Sequence, residues 1–164
     1  MPTPKGYTLT QIVLHWAVFA LVAAQFILHD GISGAWRTWV REGTVEPSAL
    51  AFSHIAFGVL VLLLVVWRMA VKAKRGAPAL PENEPAWMKR AAHGAHLALY
   101  TVLILMTVSG GLAWFAEQGW SADVHEEILK PLLMLLVALH VAGALYHHFV
   151  LKTDVMKRMG KPEA

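Results

Sequence analysis

Four stretches of about 20 residues, 11–29, 51–70, 93–115 and 129–151, carry between them only two charged side chains, Arg68 and Lys130. At 1.5 Å per residue a helix of that length spans a hydrocarbon core of roughly 30 Å. In lipid each backbone N–H and C=O must be satisfied inside its own segment, so an open chain can cross only as helix. The rest of the composition agrees: 57% of the 164 residues are apolar and 15% charged, against about 25% charged in a soluble domain. We therefore expect an all-α transmembrane four-helix bundle, with residues 1–164 forming one integral-membrane domain.

The first stretch also contains small residues, Val22-Ala23-Ala24, of the kind that precede a signal-peptidase site. Against cleavage, residues 1–10 hold a single basic residue, Lys5, and the apolar run continues to Leu28. The stretch is read as retained, which keeps His15 in the protein.

Charge sorts the connections. Lys5, Arg68, Lys72, Lys74, Arg75, Lys89, Arg90, Lys152, Lys157, Arg158 and Lys161 share one side, where with four acids the net charge is +7. The other side has Arg37, Arg41 and Lys130 against Asp30, Glu42, Glu46, Glu117, Asp123, Glu126 and Glu127, a net −4. The positive-inside rule places both termini and the Pro-containing loop 76–85 in the cytoplasm. Loops 30–50, 71–92 and 116–128 are short, so neighbouring helices should run up-down-up-down. The basic balance then reports topology and anionic lipid, and no nucleic-acid partner is expected. No loop is large enough for a separate catalytic domain.

The chain has no cysteine, which excludes disulfides, thiolate metal centres and covalently attached c-type haem. Nine histidines remain as metal ligands. His140 sits in Leu139-His140-Val141 amid apolar sequence, where an ionisable group is costly without a partner inside the bundle. Matching heights along the helices pairs His54 with His125 near the outer surface and His15 with His140 deeper toward the cytoplasm. His125 and His140 are about 22 Å apart along a helix, with an angular offset of about 60°. Lys130-Pro131 lies between them and can kink or rewind the helix.

Facing histidines at each of two levels suit two non-covalent bis-histidine b-type haems. Zinc is the competing reading, but no Asp or Glu lies within the four spans to complete a zinc site. A haem-free structural or transport bundle is the bland alternative. Gly58, Gly110, Gly111, Gly143 and Ala144 would leave flat space beside the ligands, although small residues also serve helix packing. At the cytoplasmic edge, His93, His96, His147 and His148 are either interfacial residues or a cluster around the inner haem. In the second reading His93, His96 and His147, with Arg68, form a propionate or quinone environment. His29 is expected at the outer boundary.

These residues resemble a known family. Leu14-His15-Trp16, Ser53-His54-Ile55-Ala56-Phe57-Gly58 with Val66-Trp67-Arg68, Ala92-His93-Gly94-Ala95-His96 with Tyr100, and His125-Glu126 with Leu139-His140 and Tyr146-His147-His148 are similar to bacterial cytochrome b561 proteins. The cytochrome b subunits of nickel-iron hydrogenases and formate dehydrogenases are related. The resemblance spans nearly the whole chain and implies a dihaem cytochrome of the bacterial inner membrane that exchanges electrons with ubiquinone or menaquinone. It places His15 and His140 as axial iron ligands of the cytoplasmic-side haem, and His54 and His125 as those of the periplasmic-side haem. The His125–His140 interval is one residue longer than the family leads us to expect.

Bis-histidine iron has no open position, so single-electron transfer is the expected chemistry, and no residue is singled out as catalytic. Two uses follow. One is an electron-transfer module that takes electrons from a periplasmic donor protein docked on the acidic outer face. The other is a superoxide:quinone oxidoreductase, as found in the family, which the net −4 outer face does little to attract.

Overall fold

The computed structural model describes residue 4 and residues 6–44, 48–81 and 84–163. Lys5, Glu46 and Glu82, all counted in the charge balance, lie outside the described residues, as does residue 83. The described residues form helices without strands: α1 (Leu9–Ile27), α2 (His29–Glu42), α3 (Ala49–Arg75), α4 (Ala86–Phe115), α5 (Gly119–Asp123), a π-helical turn (Val124–Leu129), α6 (Lys130–Phe149) and α7 (Val155–Arg158). Four helices are long and apolar enough to cross a membrane: α1, α3, α4 and the continuous rod Gly119–Phe149.

Local sequence explains the boundaries. Thr8 caps α1 by accepting from the Gln11 backbone N–H at 3.3 Å, while the Gln11 side chain accepts from the Thr8 N–H at 3.0 Å, a reciprocal capping box. Gln11 also reaches across to donate to the Gly76 carbonyl at 2.9 Å. Gly76 closes α3 at φ +76, in the left-handed region open to glycine. Ser48 caps the start of α3, its hydroxyl accepting from Ala51 N–H.

The four expected spans are matched by four helices long and apolar enough to cross a membrane, and the helices differ from the expected stretches at their ends. The α3 helix continues five residues past 70, because the long stems of Lys72, Lys74 and Arg75 let charge reach the interface from a helix still in register. The α4 helix starts at Ala86, seven residues before 93, directly after Pro85. Most of the first outer loop is a helix, α2, that packs on α3. Ile32, Trp36, Trp39 and Val40 recur at helical spacing, and Gly43 at φ +68 ends the helix, so the pattern was present in the sequence. Its polar composition is that of a helix lying in the interface rather than crossing it.

The core is thin: Val18, Val61 and Val65 pack with Leu21, Val22, Leu64, Tyr100, Leu103 and Ile104. Large apolar side chains such as Phe19, Leu63, Leu97 and Leu139 face outward, as lipid permits. Packing runs α1 on α3, α3 on α4, and α4 on α6. Among the described residues, α6 comes within 8 Å (Cα–Cα) of neither α1 nor α3.

Candidate functional site

The histidines face one another across that separation. The His54 ring on α3 and the His125 ring in the π turn have centres 6.5 Å apart at 66°. The His15 ring on α1 and the His140 ring on α6 are 6.2 Å apart at 54°. Two imidazoles on opposite faces of one metal ion, at about 2 Å per bond with each ring centre about 1.2 Å behind its nitrogen, stand about 6.4 Å apart. Both pairs fit that distance.

His125 reaches its position through the π turn. A π turn rotates roughly 18° less per residue than an α-helix, so four or five such steps remove roughly 70–90° from the 60° offset between His125 and His140. The two side chains then lie within about 30° of one face. The turn ends just before Lys130-Pro131, where proline cannot supply an N–H to the ladder.

The outer pair borders a cavity of about 510 Å³ lined by His54, His125, Gln25, Gly58, Gly110 and Trp114, among others. His125 donates from Nδ1 to the Met106 carbonyl at 2.8 Å, with the Ser109 hydroxyl at 3.1 Å. That leaves its Nε2 lone pair free as a ligand. Ser121, fully buried, donates to the Ser109 carbonyl at 2.9 Å and ties α5 to α4 beneath this contact. Gly110 makes room for the ring: a Cβ there would lie 3.1 Å from His125 Cε1. Opposite, Gln25 donates to the His54 carbonyl at 2.9 Å, while Gln25 Oε1 and His54 Nδ1 are buried without hydrogen-bond partners. Gln25 was not anticipated as a site residue, although a lone amide in an apolar span is a signal in itself.

At the inner level Arg68 donates to His15 Nδ1 at 2.6 Å and lies 5.7 Å from the Tyr100 ring centre. This contact puts the neutral ring's proton on Nε2, the opposite tautomer to His125. His96 donates from Nδ1 to the Ala92 carbonyl, and its ring centre is 5.3 Å from that of His140. A smaller cavity of about 130 Å³ gathers Arg68, Lys72, His93, His96 and Tyr100. His93 donates to the Lys89 carbonyl and is exposed. His147 is turned away from this group: it lies 3.2 Å from Glu84, close enough for an ion pair but without hydrogen-bond alignment, and 3.1 Å from Thr153. At the other end His29 meets Glu126 at 3.2 Å and Lys130 at 3.1 Å, at the rim of the large cavity.

The donor sets are pairs, not tetrahedra. Among the described residues no three His, Cys, Asp or Glu side chains gather as a group able to hold a metal ion. At the level of His54 and His125, two imidazoles across a roomy apolar cavity suit a planar macrocycle rather than a structural zinc ion. The buried Nδ1 of His54 has no hydrogen-bond partner among the described residues.

Fold and site together define a multi-pass membrane protein with paired intramembrane histidines, the class of the membrane b-type cytochromes. Residues 6–162 match the family model described as prokaryotic cytochrome b561, and the chain belongs to that family. It is 32% identical to cytochrome b562 of Cereibacter sphaeroides over 99% of both chains. It is 24% identical to cytochrome b561 homolog 1 of Escherichia coli K12, covering 93% of this chain and 96% of that one. A protein of Yersinia pestis named probable superoxide oxidase CybB is 22% identical, covering 94% and 96%. Membership implies b-type haem and electron transfer in the membrane.

Proposed function

We propose that the chain conducts electrons across the bacterial inner membrane through two b-type haems, one between His54 and His125 and the other between His15 and His140. The observation that carries this reading is the pair of ring separations, 6.5 and 6.2 Å, spanned between helices whose described Cα atoms stay more than 8 Å apart. The two histidines of each pair would hold a haem iron between them, and the group would supply a one-electron couple there. His125 is held as a neutral ligand by Met106 and Ser109. Arg68 is the candidate propionate partner at the inner level, which it serves by exchanging its contact with His15 for a carboxylate. His93 and His96, in the same small cavity, extend this polar environment toward ubiquinone or menaquinone. His147, drawn to Glu84, belongs to its periphery.

The chain forms a single domain over residues 1–164, with helices up-down-up-down and both termini in the cytoplasm. Charge asymmetry supports that orientation. The acidic outer face would dock a basic periplasmic donor protein. The decisive experiment measures haem per chain in purified wild type, His54→Ala and His140→Ala by the reduced pyridine-haem absorbance. Two haems falling to one in each variant is the expected result. A wild type lacking a reduced b-type α band, or variants with unchanged haem content and spectrum, would refute the reading.

One observation favours a second reading, superoxide:quinone oxidoreductase. The lining of the outer cavity includes Arg37 and Lys130 against the single carboxylate Glu126, a local cationic bias within an acidic face. Stopped-flow mixing with superoxide separates the two: fast, saturable haem reduction supports the enzyme, and its absence supports the module.

A further inference from the structure

We propose that His96 is the positioning residue of His140, accepting on its Nε2 the ring N–H that His140 turns away from the iron. The inference rests on His140 being an inner-haem ligand. His96 is prepared for this role: its Nδ1–H is committed to the Ala92 carbonyl at 2.7 Å, so its Nε2 carries a lone pair. The two rings stand edge-on, 5.3 Å between centres and 80° between planes. A ring-to-ring N–H···N bond of about 2.9 Å, with each centre about 1.2 Å behind its nitrogen, gives about 5.3 Å between centres. The same distance is about 1 Å too short for two imidazoles on opposite faces of one iron, so His96 is not a ligand trans to His140.

His140 needs such a partner. It lies in an apolar segment, and among the described residues its side chain makes ring contacts with His15 and His96 but no hydrogen bond. The ring torsion that would orient His140 toward His96 is a soft one. Metal-bound histidines almost always donate their second N–H, and His125 already does so to Met106. With His96 in place, each level has one ligand whose free nitrogen is held by α4.

An acceptor on the far nitrogen makes the ligand more basic and favours ferric iron. Removing it should shift the ferric–ferrous balance of the inner haem about tenfold toward ferrous, a rise of about 59 mV in a one-electron couple. The test is potentiometric titration and low-temperature EPR of wild type, His96→Ala and His96→Gln. The expected result is two haems in every sample, an inner-haem potential raised and a g-tensor altered in His96→Ala, and both restored toward wild type in His96→Gln, whose amide oxygen can accept. Loss of the inner haem from His96→Ala but not from His96→Gln also supports the role. Two haems with unchanged potential and EPR in His96→Ala, or equal loss in both variants, overturns it. Two haems in wild type with one in His140→Ala leaves the ligand assignment standing in that event, so the two failures are distinguishable.

Discussion

Gly110→Ala offers a sharp test of the outer site because its local and global effects have opposite signs. The new Cβ would lie 3.1 Å from His125 Cε1 and 3.3 Å from Nδ1, where ordinary contact begins at 3.4 Å. The ring must therefore yield by about 0.3 Å, the difference between those two distances. It is not free to do so, since Nδ1 is anchored to Met106 at 2.8 Å and to Ser109 at 3.1 Å. Moving the ring stretches that anchor and displaces Nε2 from its line toward His54. Changes of this kind behind a metal-ligating histidine cost about 10–100-fold in affinity, or about 1.4–2.7 kcal/mol. In the helix itself, alanine is favoured over glycine by about 0.5–1 kcal/mol. Haem titration of detergent-solubilised protein should show one site weakened by that factor, with α-helix content maintained. Gly94→Ala is the control, because nothing lies within 4 Å of a Cβ there. Wild-type affinity at both sites in Gly110→Ala would refute the placement of His125 against this glycine.

Two further perturbations test how the ends are tied. Thr8→Ala removes one half of the α1 capping box and should cost about 1 kcal/mol in thermal unfolding, with Thr8→Ser restoring most of it; an unchanged midpoint would show that the box contributes nothing. Arg158 holds both Asp154 oxygens at 2.9 Å and keeps that carboxyl below the usual carboxylate range. Because the folded pKa is depressed, this contact stabilises the C-terminal turn above about pH 4 and is lost as pH falls through the lower folded value. The chain has no cysteine, so a spin label on Lys161→Cys reports the tail alone. It should mobilise only in acid, and already at pH 7 when Asp154→Asn is added; a label indifferent to Asp154→Asn would sink the account.

The number and kind of spans were legible because uncharged length is a direct consequence of the lipid solvent. Their ends were not, since Lys72 and Arg75 extend a helix past the hydrocarbon edge without breaking it, and charge marks only where side chains emerge. The helix His29–Glu42 was written in Ile32, Trp36, Trp39 and Val40, but its polar residues read as loop. Pairing of the four histidines was readable from height alone, whereas the rotation of His125 was not. Regular helix geometry leaves a 60° error there, and only the π turn before Pro131 removes it. The supporting shell was also hidden: Met106 contributes a carbonyl, a group every residue possesses, and Gly110 contributes space.

That shell and the thin core lead to a further consequence for stability. Among the described residues α6 comes within 8 Å (Cα–Cα) of α4 but of neither α1 nor α3, and it is joined to the first half of the bundle by side chains such as Lys130, which meets His29 at 3.1 Å, and through the C-terminal tail. The tail is tied back by hydrogen bonds such as Trp16 Nε1 to the Met159 carbonyl at 3.0 Å and Glu163 N–H to the Tyr7 carbonyl at 2.9 Å. Ligation by His15 with His140 and by His54 with His125 would link α1 and α3 to α6 directly. A group that binds only the folded bundle stabilises it by about 4 kcal/mol at a thousandfold excess over its dissociation constant. Protein produced under haem limitation should thus unfold at lower temperature than haem-replete protein, and proteases should enter first at the α4–α6 side. In His54→Ala and His140→Ala, each short of one link, the midpoint should fall between those limits. Equal midpoints for depleted and replete protein would mean that the helices hold their spacing without the ligands, and that packing on α4 alone suffices.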